Sequence, residues 1–536
     1  MKVEELPTRP ERAELVITPT LETRGLDLLG LRAPAESVAV SLMNGVTTIS
    51  PLVRYLGLRA WTIHRYAVLG GLNSSDDLRR FAGKVEAAVA YSNELREAPA
   101  SGAVGGRFAS KNLQAADGPV PLRPLTQNLA LDAYAGPSQD LGISWRRRPV
   151  AGLSKERGVA LAEAVAQALS HAPVLGAIDL AADEQPASLS DLAALRDAFP
   201  LDQPAEPERQ LLIEAILPRE PRANELSRVA TYALLLWLAR RDGARIEETT
   251  LFETARDANA DVSACLHPAC DGWLRFLVRD CLVATHEQAV SDVLAVLRSE
   301  VGVGFMRKER ALERIIATSW SSSLQAVGLP DLDGDTPIKE LCRTIEDVCD
   351  PATEQGGIGR WGTPPDELSI IATTLNSADP GASACLLPVA WVVAERRLRA
   401  GLAANTPDID LHGGPALARI GVREVILPAV TSWRSSLQPM RELIAELVAR
   451  SVDQHLRIAW SRLQADPRRD VAVMVSDGTE WMAQADLKAW RATSRVYQAI
   501  NWLGQLGLVD EEGTTDEGDA ALDRAISVLE TRGVAR

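Results

Sequence analysis

The densest group of metal-type ligands in the sequence is Cys265-x-His267-x-x-Cys270, followed by Cys281 and His286. Zinc wants four thiolate or imidazole ligands at the corners of a tetrahedron. The first three could share one loop. Cys281 and His286 then fall five residues apart on the helix that follows, so both do not turn back to that loop. The spacing matches no zinc motif, and the expectation is buried cysteines, a surface histidine and no metal. Asp331-x-Asp333-Gly334-Asp335 hints at a calcium loop, but Thr336 stands where the loop needs glycine and Cys342 where it needs a bidentate glutamate. An acidic loop capping the next helix is expected instead. His286-Glu287 lacks the second histidine of a zinc-protease helix, and Gly356-Gly357-Ile358-Gly359 has neither the lysine nor the hydroxyl of a phosphate loop. There is no Gly-x-Ser-x-Gly elbow. No catalytic residue is assigned and no cofactor is expected; dispersed nuclease-type carboxylates stay open as a third reading.

The second kind of chemistry is phosphate contact. Lys488, Arg491 and Arg495 form a basic group with no acid between residues 487 and 509. Gln498 and Asn501 lie near the middle of the same helix, where amides could meet base edges. These five residues are the candidate DNA-binding set. Against them, Asp510, Glu511, Glu512, Asp516, Glu517, Asp519 and Asp523 follow closely, and an acidic surface opposes phosphate binding. Contact with a protein partner is the competing use of this region.

The elements that must position these residues begin with Val471–Val475, an apolar run closed by the turn Ser476-Asp477-Gly478. Residues 481–490 read as a weak helix or a second strand. Thr493 or Ser494 is expected to cap a helix over 494–506, whose Val496, Ala499, Ile500, Leu503 and Leu506 make one apolar face. Gly507 stops it, a hairpin turns at Glu512-Gly513, and Thr515 caps the last helix. With Leu506-Gly507-Leu508-Val509 before the hairpin and Thr515-x-x-Gly518 after it, residues 466–536 resemble winged-helix domains of the multiple-antibiotic-resistance-regulator type. That resemblance implies a DNA- or protein-binding module over about a seventh of the chain.

Upstream, the sequence reads as helix after helix. Ser50-Pro51 is expected to start a helix over 52–69, apolar over most of its circumference, and Ser74 to cap the next. Further helices are expected at 188–199, 207–217, 224–241, 271–299, 306–327, 337–349, 366–376, 385–402 and 437–465. Asp466-Pro467 breaks the last of these. The domains are therefore an N-terminal helical region at 1–96, an irregular connection at 97–172, helical domains at 173–465 and the winged-helix module at 466–536. The connection holds the basic triplet Arg146-Arg147-Arg148, and its Gly152–Leu161 stretch looks like Gly513–Leu522 with spacings off by one residue. A degenerate second winged helix is one reading of that likeness and chance the other. The fold class is mostly α, a multi-helical body with a C-terminal α+β module.

Gly45-Val46-Thr47-Thr48-Ile49-Ser50, then Arg54-Tyr55 and Trp61, resembles the N-terminal motif of a group of uncharacterised bacterial proteins, some encoded among phage-defence genes. The stretches Trp273–Glu287 and Gln454–Ala459 extend the resemblance. It implies a setting: a non-catalytic helical component of an anti-phage or DNA-processing complex, with protein partners and with DNA reached through the C-terminal module. A winged-helix transcriptional regulator is the alternative. Net charge of −15 argues against nucleic-acid or acidic-membrane binding by the whole surface. Six cysteines in no paired framework fit a reducing cytoplasm. Met1–Arg12 has no apolar core for a signal peptide, and no apolar run reaches membrane-spanning length.

Overall fold

The computed structural model describes residues 27–70, 74–145, 151–257, 262–348, 364–397, 420–465 and 472–532. The described residues are 63% helix and 6% strand. It divides into two compact units. Among the described residues, one unit takes 27–34, 278–348, 364–397, 420–465 and 472–492, and the other takes 35–70, 74–145, 151–257, 262–277 and 493–532. The C-terminal stretch that the sequence suggests as one module is thus shared out, with its break between Ala492 and Thr493. Gly356–Gly359, Arg146–Arg148 and Asp466–Asp470 lie outside the described residues.

In the first unit, helices Ile338–Val348, Glu367–Leu375, Leu386–Arg397 and Met440–Ala465 start within one to three residues of their expected starts, and residues 398–402 of the third lie outside the described residues. The expected helix over 306–327 is instead three pieces. Met306–Arg307 is a strand paired with Glu480–Ala483, Lys308–Ile316 is helical, and Ser321–Ala326 is a second short helix. Trp320 at the break donates its indole N–H to the Gly381 carbonyl at 3.0 Å, which anchors the turn. Glu480–Ala483 also pairs with Met474–Asp477, giving a three-stranded sheet. Residues 481–490 therefore open as a strand, the second of the two readings above.

In the second unit, helix Tyr55–Val68 has Tyr55, Leu56, Leu58, Ala60, Trp61, Ile63 and Tyr66 buried, as its apolar circumference requires. It starts later than Ser50-Pro51 suggests. The Ser50 hydroxyl closes a local turn, donating to the Thr47 carbonyl at 2.9 Å and accepting from the Thr47 amide at 3.0 Å. The Leu52 and Val53 amides are taken by the Tyr134 hydroxyl and the Gln505 carboxamide, and their carbonyls accept from the Tyr55 and Leu56 amides in turns that lead into the helix. Helix Ser75–Glu94 has the expected cap, Ser74 accepting from the Asp77 amide at 3.3 Å. Residues 97–172 are more regular than their composition suggests: they hold helices Gly106–Ala115, Ala130–Ala133, Ala135–Asp140 and Ala160–Ala168 and the ribbon of Ser144–Trp145 with Gly152–Leu153.

That ribbon belongs to a geometry found twice in this unit. Gly142 and Gly507 each follow a helix in the left-handed region, at φ 69° and 67°. Ile143 and Leu508 send their amides back to Ser138 and Leu503 carbonyls at 2.8 and 3.0 Å. Two-residue strands follow in matching register, Ser144–Trp145 on Gly152–Leu153 and Val509–Asp510 on Gly513–Thr514. The next residue caps a helix in both places. Ser154 accepts from the Gly158 amide at 2.9 Å and donates to Gly142 O at 2.7 Å; Thr515 accepts from Gly518 at 3.1 Å and donates to Gly507 O at 2.7 Å. A Cβ on Gly158 would lie 2.1 Å from the Ile143 carbonyl, and one on Gly518 2.0 Å from that of Leu508, so each glycine is required by backbone approach. The residue of offset in the sequence is absorbed by the π turn Lys155–Val159. The likeness of the two stretches is therefore one of hydrogen bonds and dihedrals as well as of letters.

Candidate functional site

The candidate site of the second unit is the segment Asn44–Arg54, which carries the N-terminal motif, together with the helix Val496–Gln505. Few of the segment's backbone groups can bond to each other, so side chains serve them. Arg228 donates to the Asn44 carbonyl at 3.1 Å, Arg495 to Val46 at 2.6 Å, Gln498 to Thr48 at 3.1 Å, the Trp502 indole to Ser50 at 2.7 Å and Gln505 to Pro51 at 2.8 Å. A Cβ at Gly45 would meet Leu141 at 2.9 Å, so both copies of the repeated geometry lie against the segment. Arg54 closes it: its Nε and Nη2 donate to Glu208 at 3.0 and 2.8 Å, and Nη1 to the Pro200 carbonyl at 2.6 Å. Burial raises the Glu208 carboxyl, and the Arg54 charge opposes that. What the segment leaves outside is Thr48 and Ile49, the latter 62% exposed.

The helix Val496–Gln505 buries Val496, Ala499, Ile500 and Leu503 as expected, but it has a second inward face at Arg495, Gln498, Trp502 and Gln505. Sequence reasoning missed Trp502 and Gln505, although an indole with a polar edge inside an apolar helix is the available signal. The expected cap is also corrected. Arg495 precedes the helix at φ 70°, and the Ser494 hydroxyl accepts from the Val496 amide at 3.1 Å rather than reaching the next turn. The strain of a non-glycine residue there is offset by the Arg495 bond to Val46. Burial lowers the Arg495 guanidinium, with Glu36 and Asp140 acting against it. Tyr497, Asn501 and Gly504 form the outward strip, and Tyr497 is 63% exposed.

Of the candidate DNA-binding set, Lys488 and Arg491 fall in the first unit and Arg495, Gln498 and Asn501 in the second. Arg491 donates to Asp280 at 2.8 Å, and the same carboxylate takes the Ala492 amide at 2.6 Å. Arg32 holds the preceding carbonyls, Trp490 and Arg491, each at 3.0 Å, and pairs with buried Glu287 at 2.6 Å. Burial raises the Glu287 carboxyl, and its bonds to Arg32 oppose the shift. Lys488 is exposed, with its ammonium 5.6 Å from the Trp490 ring centre. The acidic residues after 510 are partly neutralised within their own unit: Arg240 pairs with Asp519 and Asp523 at 2.7 and 3.0 Å, Arg209 with Glu517 at 2.5 Å and Arg245 with Glu511 at 3.6 Å.

The ligand-type residues do not converge. Cys265, His267 and Cys270 lie in the second unit, Cys281 and His286 in the first, and the five described cysteines are buried thiols outside any disulfide. Cys265 contacts Ser263 at 3.3 Å and His267 the Val262 carbonyl at 3.1 Å. In the first unit, Ser451 gives its proton to the Leu447 carbonyl at 2.8 Å, so it accepts from His286 Nδ1 at 2.8 Å, and His286 Nε2 accepts from the Trp391 indole at 2.9 Å. A serine beside a histidine usually suggests a nucleophile, but here the histidine is the wrong tautomer for a base and both residues are fully buried. Burial pulls His286 down to about 3. His455 is placed alike, with Nδ1 on the Leu28 carbonyl and Nε2 taking the Val473 amide, both at 3.1 Å. In the acidic loop, Asp333 accepts from the Asp335 and Thr336 amides at 2.9 Å each, a local turn before the helix Ile338–Val348.

No helix among the described residues is long and apolar enough to cross a membrane. Comparison with protein families, with curated proteins and with solved structures finds no match.

Proposed function

We propose that this chain is a non-catalytic helical component of a bacterial anti-phage or DNA-processing assembly, and that the helix Val496–Gln505 meets a partner protein rather than DNA. The observation that carries the reading is the orientation of that helix. Its nominated cation, Arg495, is bonded inward to Val46, while Tyr497 and the neighbouring loop residue Ile49 are turned outward. A neutral, aromatic strip on a rigid support suits a protein hot spot and offers a phosphate nothing. The absence of a catalytic role is supported by the inward bonding of the His286–Ser451 pair, His455 and Asp280. The setting rests on the resemblance of the Gly45–Trp61 motif. The alternative, a transcriptional regulator, keeps exposed Lys488 beside Trp490 as its support.

The test uses the full chain. Co-elution with the products of neighbouring genes in size-exclusion chromatography should be lost in Y497D and I49D, with melting temperatures unchanged. Binding to a labelled duplex of about 20 base pairs at about 50 mM salt should be absent. Duplex binding that disappears in K488E, with co-elution intact in Y497D, would establish the regulator reading instead.

A further inference from the structure

A second exposed surface lies on the helix Gly106–Ala115, far in sequence from the C-terminal helix and independent of how that helix is used. The helix packs through Gly106 and Ala109 and is pinned by Asn112, which donates to the Tyr91 hydroxyl at 2.9 Å. Its other face is open. Arg107, Phe108 and Lys111 are exposed there, Phe108 at 56%. At 100° per residue, Lys111 projects between Arg107 and Phe108, so the three make one contiguous strip. Neither cation has a carboxylate partner among the described residues, whereas Arg79, Arg80, Arg123, Arg209 and Arg240 each have one. Like charges four apart destabilise a helix, and an exposed phenyl ring gains nothing from water. Both features are relieved by a ligand that is acidic and carries an apolar side chain.

The surroundings favour a peptide. Gly105, one turn before Phe108, would place a Cβ 3.1 Å from Leu125. Leu125 with Pro124, Thr126 and Leu129 forms one wall of an open cleft of about 590 Å³, whose other wall is Asp76, Arg79, Arg80 and Gln127. Apolar side chains of a bound segment have that cleft to enter while its carboxylates face Arg107 and Lys111. On this face a polynucleotide would find two cations without a carboxylate partner among the described residues and one ring, the cleft's Arg79 and Arg80 being paired with Asp132 and Asp77, on a chain of net charge −15. The geometry points to the Arg107–Phe108–Lys111 face as a docking site for an acidic segment of a partner protein that carries a large apolar residue.

Fluorescence anisotropy on the full chain tests this with a labelled peptide of about twelve residues, rich in Asp and Glu around a central Phe-x-x-Leu. The chain should bind it, and about tenfold more weakly when Phe and Leu are replaced by alanine. F108A should lose about tenfold, and R107E/K111E should abolish binding and its salt dependence. Because all three side chains are exposed, the variants should keep the wild-type melting temperature. No binding by the wild type, or equal binding by wild type and R107E/K111E, overturns the proposal. So does tighter binding of an oligothymidine probe that the same variants remove, which would make the face a nucleic-acid surface.

Discussion

Two buried residues show how much of this sequence serves the fold rather than chemistry. Arg54 is fully buried on Glu208 and lies over the Phe199 ring at 3.7 Å. Removing one partner of such a pair leaves a buried charge alone, so Arg54→Met should lower unfolding free energy by about 3–5 kcal/mol in urea titrations. Arg54→Met with Glu208→Gln should recover part of the loss; no recovery would show that packing on Phe199 is the larger effect. His286 gives a pH signature. Its folded-state value is about 3, while an unfolded histidine takes a proton near 6.5. The unfolded chain therefore binds more protons between these values, and stability present above pH 6.5 is lost as pH falls toward 3. By linkage, wild type should lose about 2 kcal/mol from pH 7 to pH 5 through this residue, and His286→Gln should lack that component. Identical pH slopes in the two proteins would show that His286 titrates normally. The sequence displayed His286 beside Glu287 as a metal-site fragment; only the partners Ser451 and Trp391, more than a hundred residues away, reveal its role.

Elements were legible where burial wraps a whole helix. Tyr55–Val68, Leu226–Asp242 and Leu386–Arg397 carry apolar residues on nearly every side, a pattern that composition alone exposes. Gly106–Ala115 was illegible because only a glycine and an alanine pack, leaving no apolar stripe to read. Met306–Arg307 was illegible because its pairing partner lies far along the chain at Glu480–Trp481. The short helix Ala130–Ala133 depends on a side chain from another helix: Glu86 accepts from the Ala130 and Leu131 amides at 2.8 Å each. Burial raises that carboxyl to about 7, against those two bonds, with Asp132 adding to the rise and Arg79 opposing it. Here the folded state holds the proton more tightly than the unfolded one, so stability falls as pH rises from about 4.5 to 7. Relative to wild type, Glu86→Gln should gain about 2 kcal/mol between pH 5 and pH 7, the sign opposite to His286→Gln. An unchanged difference across that window would place the Glu86 titration elsewhere.

At the scale of the whole molecule, the sequence suggests a boundary at Asp466 with a separable module after it, and the packing argues for a different behaviour on excision. Trp502, Leu503, Leu506, Leu508, Leu522 and Leu529 are fully buried in the second unit. Gly513 would set a Cβ 2.6 Å from the Ala239 carbonyl, so the hairpin touches the backbone of helix Leu226–Asp242. The hairpin Met474–Ala483 instead pairs with Met306–Arg307 in the first unit. The hairpin Val509–Thr514 and the helix Asp516–Thr531 were visible because their turn, cap and glycines are local, as Thr515 and Gly518 show. What those elements pack against was invisible because it depends on contacts hundreds of residues away. A chain ending at residue 465 would strip the segment Asn44–Arg54 of the donors Arg495, Gln498, Trp502 and Gln505 and uncover one side of Leu226–Asp242. Burying an aromatic or leucine side chain contributes roughly 1.5–3 kcal/mol, so losing several exceeds the stability of an ordinary domain. The truncated chain should bind a hydrophobic dye and lose more helical ellipticity than the missing residues account for. The isolated fragment 466–536 should show no cooperative melting. Two soluble pieces, each melting cooperatively and together reproducing the spectrum of the intact chain, would establish residues 466–536 as a free-standing domain.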